Sequence, residues 1–169
     1  MFIDECSVNC GMTRLYGRSL DGERINEYVP DVRFERTSII SSIRLNGEQV
    51  PFMFKGSLNT EVFTAYIRDF LTPTLEAGDI VFLDNLSVHL AKGALDSLYQ
   101  KGIVVRFLPP YSYDFNPIEL AWSKVKAILR KLKPRGFNEL VSVMKSALDS
   151  LTILNIEGWF RHCGYTFNI

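Results

Sequence analysis

Two aspartates stand where short apolar segments of this chain end. Asp4 follows the apolar pair FI at residues 2–3, and Asp84 follows the run IVFL at residues 80–83. If these segments are neighbouring parallel strands, their carboxyl ends meet at one sheet edge and the two carboxylates lie side by side. Carboxylates that close repel each other unless one is protonated or a cation lies between them, and hard divalent cations prefer oxygen ligands. The alternative is that each aspartate only caps a strand or turn.

Glu119 is a third candidate carboxylate, at the start of a helix predicted from Pro117 to about residue 133. An N-terminal capping box formed by Asn116 and Glu119 would by itself explain this glutamate. A helical wheel places five residues within about 60° of Glu119 on one exposed face: Trp122, Ser123, Lys126, Arg130 and Lys133. Another face is apolar and predicted to be buried: Ile118, Ala121, Val125, Ile128, Leu129 and Leu132. One cation per turn after a carboxylate suits a phosphate backbone leading away from a metal site.

The charge distribution separates one basic segment from a mildly acidic remainder. The 169 residues carry 19 Lys and Arg against 19 Asp and Glu, yet residues 120–136 hold six basic residues and no acidic one. A solvated helix face is the alternative explanation of this segment.

The hydrophobic content of 47% predicts one globular domain, and no apolar run reaches the roughly 18 residues of a membrane helix.

The N-terminus and the cysteines exclude other classes of protein. The opening sequence MFIDECSVNC lacks the basic segment of a signal peptide. The three cysteines form no CxxC pair and the chain has only two histidines, so a zinc site is not expected. Cysteines without a disulfide framework indicate a reducing, cytosolic compartment.

A hairpin is predicted in the first half of the chain. Residues 33–45 are rich in β-branched side chains, and residues 48–54 return as a partner strand after Asn46-Gly47, a strong turn signal because both residues tolerate a positive φ. Pro51 cannot donate a ladder hydrogen bond, which assigns this second strand to a sheet edge.

The second half alternates between helical and strand patterns. A helix begins at Asn59, a buried strand follows at residues 80–83, and a helix capped by Ser87 is predicted to run to Gly102. A strand at 103–108, the helix that carries Glu119, and a helix from Asn138 complete the order. Because βαβ crossovers are right-handed, we predict an α/β fold with a five-stranded mixed sheet of order 3-2-1-4-5 and helices on both faces.

Several motifs resemble the DDE transposases of bacterial insertion sequences, in the branch related to the mariner elements. The motifs span nearly the whole chain: FIDE at 2–5, RLYGRSLDGERI at 14–25, LDN at 83–85 followed by His89, LPPYSYDFNPIELAW at 108–122, and HCGY at 162–165. The 34 residues between Asp84 and Glu119 are the interval that this group shows. The resemblance implies an RNase H-like fold with Asp4, Asp84 and Glu119 as the catalytic, metal-binding triad.

The resemblance also implies the chemistry and the partners. Two Mg²⁺ or Mn²⁺ ions held by the triad would promote cleavage of DNA phosphodiester bonds and transfer of a DNA 3′-hydroxyl, with no covalent protein nucleophile. Asn85, His89 and Asn116 are candidates for orienting a carboxylate or the scissile phosphate. The expected partners are double-stranded DNA, as transposon ends and target, and a second copy in a homodimer. The expected location is the bacterial cytosol, in association with the nucleoid, with no membrane contact.

The chain departs from the family pattern in three ways. Tyr113 stands where Pro is usual, and Leu90 follows His89 where Lys is common, which removes a possible phosphate contact. Family members also carry an N-terminal helix-turn-helix region, and nothing in this chain resembles it. Residues 1–169 are therefore interpreted as a single RNase H-like catalytic domain. Two other hypotheses are a host nuclease or resolvase of the same fold, and an inactive or recruited DDE-domain remnant that binds DNA or protein.

Overall fold

The computed structural model describes residues 1–31 and 33–166, and its centre is one mixed β-sheet. The sheet has five strands in the order β3-β2-β1-β4-β5, as predicted. Their bounds are β1 Phe2–Val8, β2 Thr37–Ile43, β3 Phe52–Lys55, β4 Ile80–Leu83 and β5 Val104–Phe107. β2 and β3 are shorter than predicted, and β3 forms the edge next to Pro51. Gly47, at a φ of 90°, turns the chain between them.

The central strand β1 connects the antiparallel and the parallel parts of the sheet. It pairs antiparallel with β2, where Asp4 lies opposite Ser41, and parallel with β4, where Phe2 lies opposite Phe82. The prediction that Asp4 ends a strand is wrong, because β1 continues to Val8 through antiparallel pairing with β2. β4, in contrast, ends at Leu83. Asp4 is therefore held within the hydrogen-bonded ladder of β1 and β2, whereas Asp84 lies just after the end of β4.

Five α-helices of the described residues cover the sheet. They are α1 Thr60–Ala65, α2 Asp96–Gln100, α3 Pro117–Leu132, α4 Phe137–Asp149 and α5 Ile153–His162. A π-helical turn, Tyr66–Leu71, continues α1. The helix predicted from Ser87 is replaced by turns up to Leu95, because the amide of Leu86 bonds to the Asp84 side chain and Gly93 adopts a positive φ of 80°. In the part of the chain that the structure describes, no helix is long and apolar enough to cross a membrane.

The helices form one apolar core on each face of the sheet, which confirms the predicted layering. On one face α3, α4 and α5 pack over Phe2, Cys6 and Val8, and on the other α1 and its π-helical continuation pack over Ile3 and Ile40. Two wheel assignments on α3 are wrong. Trp122 is only 2% exposed because α4 and α5 widen the buried stripe of α3. Leu132 is 52% exposed because it lies in the final turn, where the helix ends.

Candidate active site

The parallel register of β1 and β4 brings Asp4 and Asp84 to the same level of the sheet. Phe2 pairs with Phe82, so two residues further along each chain Asp4 and Asp84 are neighbours across the two strands. Asp4 is only 6% exposed, and Asp84 is half-buried. The predicted parallel pairing of these two strands is therefore confirmed, and a cation shared by the two carboxylates stays a prediction.

Glu119 joins them from the first turn of α3, which packs against β1. Burial raises the pKa of Asp4 well above its ordinary value, and the negative charges of Glu119 and Glu5 raise it further. Burial also raises the pKa of Glu119; the positive charge of Lys126 opposes this and the charge of Asp84 adds to it. Carboxylates that perturb one another in this way share one electrostatic environment.

The predicted capping box at the start of α3 does not form. Asn116 is the N-cap residue and Pro117 is N1, but the side chain of Asn116 makes no capping hydrogen bond. Its Oδ1 atom is instead buried and, among the residues that the structure describes, has no hydrogen-bond partner. Glu119 is therefore not committed to a cap, and Asn116 offers a buried amide oxygen beside it.

Oxygen atoms without partners at this site are the observation that fits a cation. The Oδ2 atom of Asp4 is buried and unpaired within residues 1–31 and 33–166, although a buried polar atom without a partner costs about 1–3 kcal/mol. Carboxylate and amide oxygens are the donors that Mg²⁺ prefers. In the same described residues, no three His, Cys, Asp or Glu side chains have the spacing of a metal site as they stand. The candidate ligands would have to converge by side-chain rotation.

His89 is completely buried behind Asp84 and contacts two carboxylates. Its Nδ1 lies 2.7 Å from Oδ1 of Asp84, and its Nε2 lies 3.6 Å from Oε2 of Glu5. Burial alone would raise the pKa of Asp84, but hydrogen bonds from His89 and from the amide of Leu86 lower it below its ordinary value. Asp84 is thus stabilised as an anion, in contrast to Asp4 and Glu119.

Glu5 is a residue of this neighbourhood that sequence reasoning missed. Successive strand residues point to opposite faces, so Glu5 faces the α1 side while Asp4 faces α3. Burial raises the pKa of Glu5, and the charge of His89 opposes that shift. The motif FIDE includes Glu5, so the residue itself was visible in the sequence. Its contact with His89 depends on turns between β4 and α2, where the sequence pattern predicted a helix.

A cavity of about 330 Å³ opens beside Asp84 and Glu119. Asn116 and the segment from Leu108 to Tyr113 form its other walls. The amide of Asn85 donates to the carbonyl of Leu108 at 2.6 Å, which ties the chain after β4 to the chain after β5. Asn85 therefore shapes the cavity wall through the backbone.

The basic segment divides into structural and candidate DNA-binding cations. Lys124 donates to the carbonyl of Ser150, and Arg135 donates to the carbonyls of Cys10 and Met12, so these two hold the fold together. Three other cations are half-buried: Lys126, Arg130 and Lys133. Lys133 is the C-cap of α3, with a φ of 53°, and forms an ion pair with Glu27 of the β1–β2 segment.

A family model described as the DDE superfamily endonuclease matches residues 1–141. The chain belongs to this family. No curated protein matches it. The predicted likeness to DDE transposases is thereby confirmed at the level of the DDE endonuclease superfamily, whereas an origin in a bacterial insertion sequence stays a prediction.

Solved structures with a similar fold include complexes of Mos1 transposase. The Mos1 paired-end complex with the left transposon end matches at 16% identity with a TM-score of 0.77, over 96% of this chain and 50% of that chain. The Mos1 mariner paired-end complex with Mn matches at 16% identity and a TM-score of 0.67, over 96% and 51%. An intasome of simian T-cell lymphotropic virus matches at 11% identity and a TM-score of 0.51, over 87% and 46%. These likenesses confirm the RNase H-like fold, and the chain spans about half the length of these proteins.

Proposed function

We propose that this chain is the catalytic domain of a transposase, which cleaves DNA phosphodiester bonds and joins a DNA 3′-hydroxyl to target DNA. Membership of the DDE superfamily endonucleases supports the endonuclease part, and the transposase structures of the same fold support the rest. The observation that carries the proposal is the buried, unpaired Oδ2 of Asp4, a carboxyl whose pKa the charges of Glu119 and Asp84 help to raise. An acidic site of this kind is costly to a protein unless a cation occupies it.

Asp4, Asp84 and Glu119 would hold two divalent cations, Mg²⁺ or Mn²⁺, and Mos1 complexes have been solved with each of these metals. Bound there, the cations would supply activation of the attacking hydroxyl and stabilisation of the leaving oxygen. The contribution of the protein is position: β1 fixes Asp4 within its ladder, His89 fixes Asp84, and the first turn of α3 carries Glu119. Asn116 lies beside Glu119 as a further oxygen donor.

The cationic side of α3 would hold the DNA backbone that leads into this crevice. Lys126 acts electrostatically on Glu119, so a phosphate bound by Lys126 would lie close to the carboxylates. Arg130 and Lys133 would continue the path, with Lys133 exchanging its bond to Glu27 for a phosphate. The partners would be double-stranded transposon ends and target DNA, in a complex with two copies of the chain. Such work would take place in the bacterial cytosol, at the nucleoid.

The proposal is tested by nicking of supercoiled plasmid DNA and by joining of a labelled oligonucleotide with a free 3′-hydroxyl to plasmid. We expect both reactions to require Mn²⁺ or Mg²⁺. Asp84→Asn should lower the cleavage rate by roughly three orders of magnitude or more, the scale on which loss of one member of a catalytic group acts in other enzymes. Glu76→Gln is the matched control, because this exposed carboxylate lies near the opposite end of β4.

Three results would contradict all or part of the proposal. Cleavage that continues in the presence of EDTA would show that the reaction does not depend on a bound divalent cation. A chain that binds DNA but shows neither metal-dependent nicking nor joining would instead be a recruited DDE-domain remnant. Hydrolysis without joining would favour a nuclease of the same fold.

A further inference from the structure

We propose that Glu5 is a positioning residue for this site: it holds the imidazole of His89, and His89 in turn fixes the carboxylate of Asp84 in its metal-binding orientation. The inference rests on the proposed function, because it takes Asp84 as a metal ligand. It adds a fourth carboxylate, which lies on the opposite face of the sheet from Asp4.

Three side chains form a continuous line behind the site. Oδ1 of Asp84 lies 2.7 Å from Nδ1 of His89, and Nε2 of the same ring lies 3.6 Å from Oε2 of Glu5. In the described part of the chain, both Nε2 of His89 and Oε2 of Glu5 are buried without a hydrogen-bond partner. Each is therefore the polar atom available to the other, and closing the gap by a few tenths of an ångström satisfies both. Leaving both unpaired would cost free energy for each group, because a buried polar atom has lost its hydrogen bonds to water.

Asp84 needs this support because of its place in the fold. β4 ends at Leu83, so Asp84 has no strand ladder to fix it, whereas Asp4 sits inside β1. The hydrogen bonds from His89 and from the amide of Leu86 both go to Oδ1 of Asp84. Two donors on one oxygen restrict the rotation of the carboxylate and leave Oδ2 for an external cation.

His89 can act as such a support only if its own ring is fixed. The ring is 0% exposed and lies 4.5 Å from the ring of Phe63, centroid to centroid, within the α1 core. Phe63 limits the tilt of the imidazole, and Glu5 limits its rotation in the ring plane. Glu5 belongs to the central strand β1, where it pairs with Ile40. The position of β1 therefore fixes the orientation of Asp84 through Glu5 and His89.

Direct metal ligation by Glu5 is a weaker explanation. Side chains alternate between the faces of a strand, and Asp4 shares the α3 face with Phe2 and Cys6, while Glu5 shares the α1 face with Ile3. The imidazole of His89 lies between Glu5 and Asp84. Partners of this kind behind a metal ligand typically change metal affinity by about 10–100-fold when they are removed.

The test measures binding of Mn²⁺ alone to the 169-residue chain, from the electron paramagnetic resonance signal of the free ion. Glu5→Leu removes the acceptor, while Glu5→Gln removes the charge but keeps a carbonyl that can accept from Nε2. We expect Glu5→Leu to raise the Kd by about tenfold or more and Glu5→Gln to keep most of the affinity. Glu76→Gln is again the control and should leave the Kd unchanged. Thermal unfolding of each variant verifies that it is folded.

A second readout needs no metal. With only two histidines in the chain, long-range proton–nitrogen spectra resolve the ring of His89. The ring signals should match in the wild type and Glu5→Gln, and should change in Glu5→Leu. In a His89→Asn background, Glu5→Leu should cause no further loss of Mn²⁺ affinity, since the effect passes through the imidazole.

Three outcomes would overturn the inference: equal loss in Glu5→Gln and Glu5→Leu, which would mean that only charge matters; no loss in Glu5→Leu; or full additivity with His89→Asn. Asp84→Asn separates this from the proposed function. If Asp84→Asn abolishes Mn²⁺ binding while Glu5→Leu does not weaken it, the inference alone fails. If Asp84→Asn binds Mn²⁺ as the wild type does, both fail.

Discussion

The two faces of the sheet treat their carboxylates differently. On the α3 face, Asp4 and Glu119 have raised pKa values, and Asp4 keeps a buried oxygen without a partner among the described residues. Behind them, on the α1 face, His89 lies between Asp84 and Glu5 and lowers the pKa of Asp84. Asp4 keeps an oxygen without an internal partner, as a site for external cations requires, whereas Asp84 has an internal partner in His89.

The largest effect expected outside the carboxylates concerns the cations of α3. Replacing Lys126, Arg130 and Lys133 by Ala should weaken DNA binding for every sequence alike, because phosphate contacts carry no base information. The slope of the logarithm of the binding constant against the logarithm of salt concentration should fall by about 0.9 for each lost contact. Fluorescence anisotropy over a salt series measures this slope.

Two controls sharpen that prediction. Lys131→Ala removes an exposed cation from another side of α3 and should leave the slope unchanged. Glu27→Gln breaks the ion pair with Lys133 and should strengthen DNA binding, because Lys133 is then released for a phosphate. A loss confined to one DNA sequence would mean that these residues contact bases, and the phosphate interpretation would be wrong.

A smaller effect concerns the stability of the metal-free chain. Asp4→Asn should raise the Tm in EDTA, because it removes a buried carboxyl group whose ionisation is opposed by burial and by the neighbouring negative charges. Each kcal/mol of relief corresponds to about 2–4 °C at this chain length. Asp84→Asn should lower the stability by at most about 1 kcal/mol, since the hydrogen bond to His89 is weakened and partial exposure screens it.

Opposite signs for these two variants are the expected outcome, and differential scanning calorimetry in EDTA measures them. Equal destabilisation by Asp4→Asn and Asp84→Asn would show that the two faces do not differ in charge compensation. In Mn²⁺ the Tm of Asp4→Asn should instead lie below that of the wild type, because the variant loses the stabilisation that metal binding gives the wild type.

The smallest effect is the pH dependence of the same stability. Asp4 has a folded pKa above its unfolded value, so the folded state keeps a proton that the unfolded state releases as pH rises. Its contribution therefore lowers stability as pH rises from about 4 through the raised pKa. Asp84 has a lowered pKa, so its stabilising contribution is present above the ordinary value and is lost as pH falls through the lowered one. Asp4→Asn should therefore make the decrease in Tm between about pH 4 and neutral pH less steep. A wild-type Tm that rises over this range would contradict a raised pKa for Asp4.

The sheet was predictable from sequence because its signals are local. Asn46-Gly47 marked the hairpin, Pro51 marked the edge, and the apolar run before Asp84 marked a buried strand. The segment after Asp84 was not predictable, because its apolar spacing is helical while the hydrogen bond from Leu86 to Asp84 and the positive φ of Gly93 give turns. Trp122 was misplaced for a related reason: a wheel cannot show where neighbouring helices widen the core.

The candidate site was predictable only in part. The spacing of Asp4, Asp84 and Glu119 and the family motifs indicated the carboxylates, and the structure places them in one electrostatic environment. Glu5 could not be recognised, since its interest depends on the imidazole of His89 lying on the same side of β1. The ion pair of Lys133 with Glu27 depends in the same way on the course of the chain between β1 and β2.

The most direct test of a cation site between the two aspartates is anomalous diffraction near the manganese edge, from crystals of the chain soaked in Mn²⁺. The account predicts an anomalous peak about 2.0–2.3 Å from carboxylate oxygens of both Asp4 and Asp84, with Glu119 turned into the same crevice. It also predicts that the peak is absent from crystals of Asp84→Asn. A Mn²⁺ peak elsewhere on the chain, with Oδ2 of Asp4 still unpaired, would contradict the central claim.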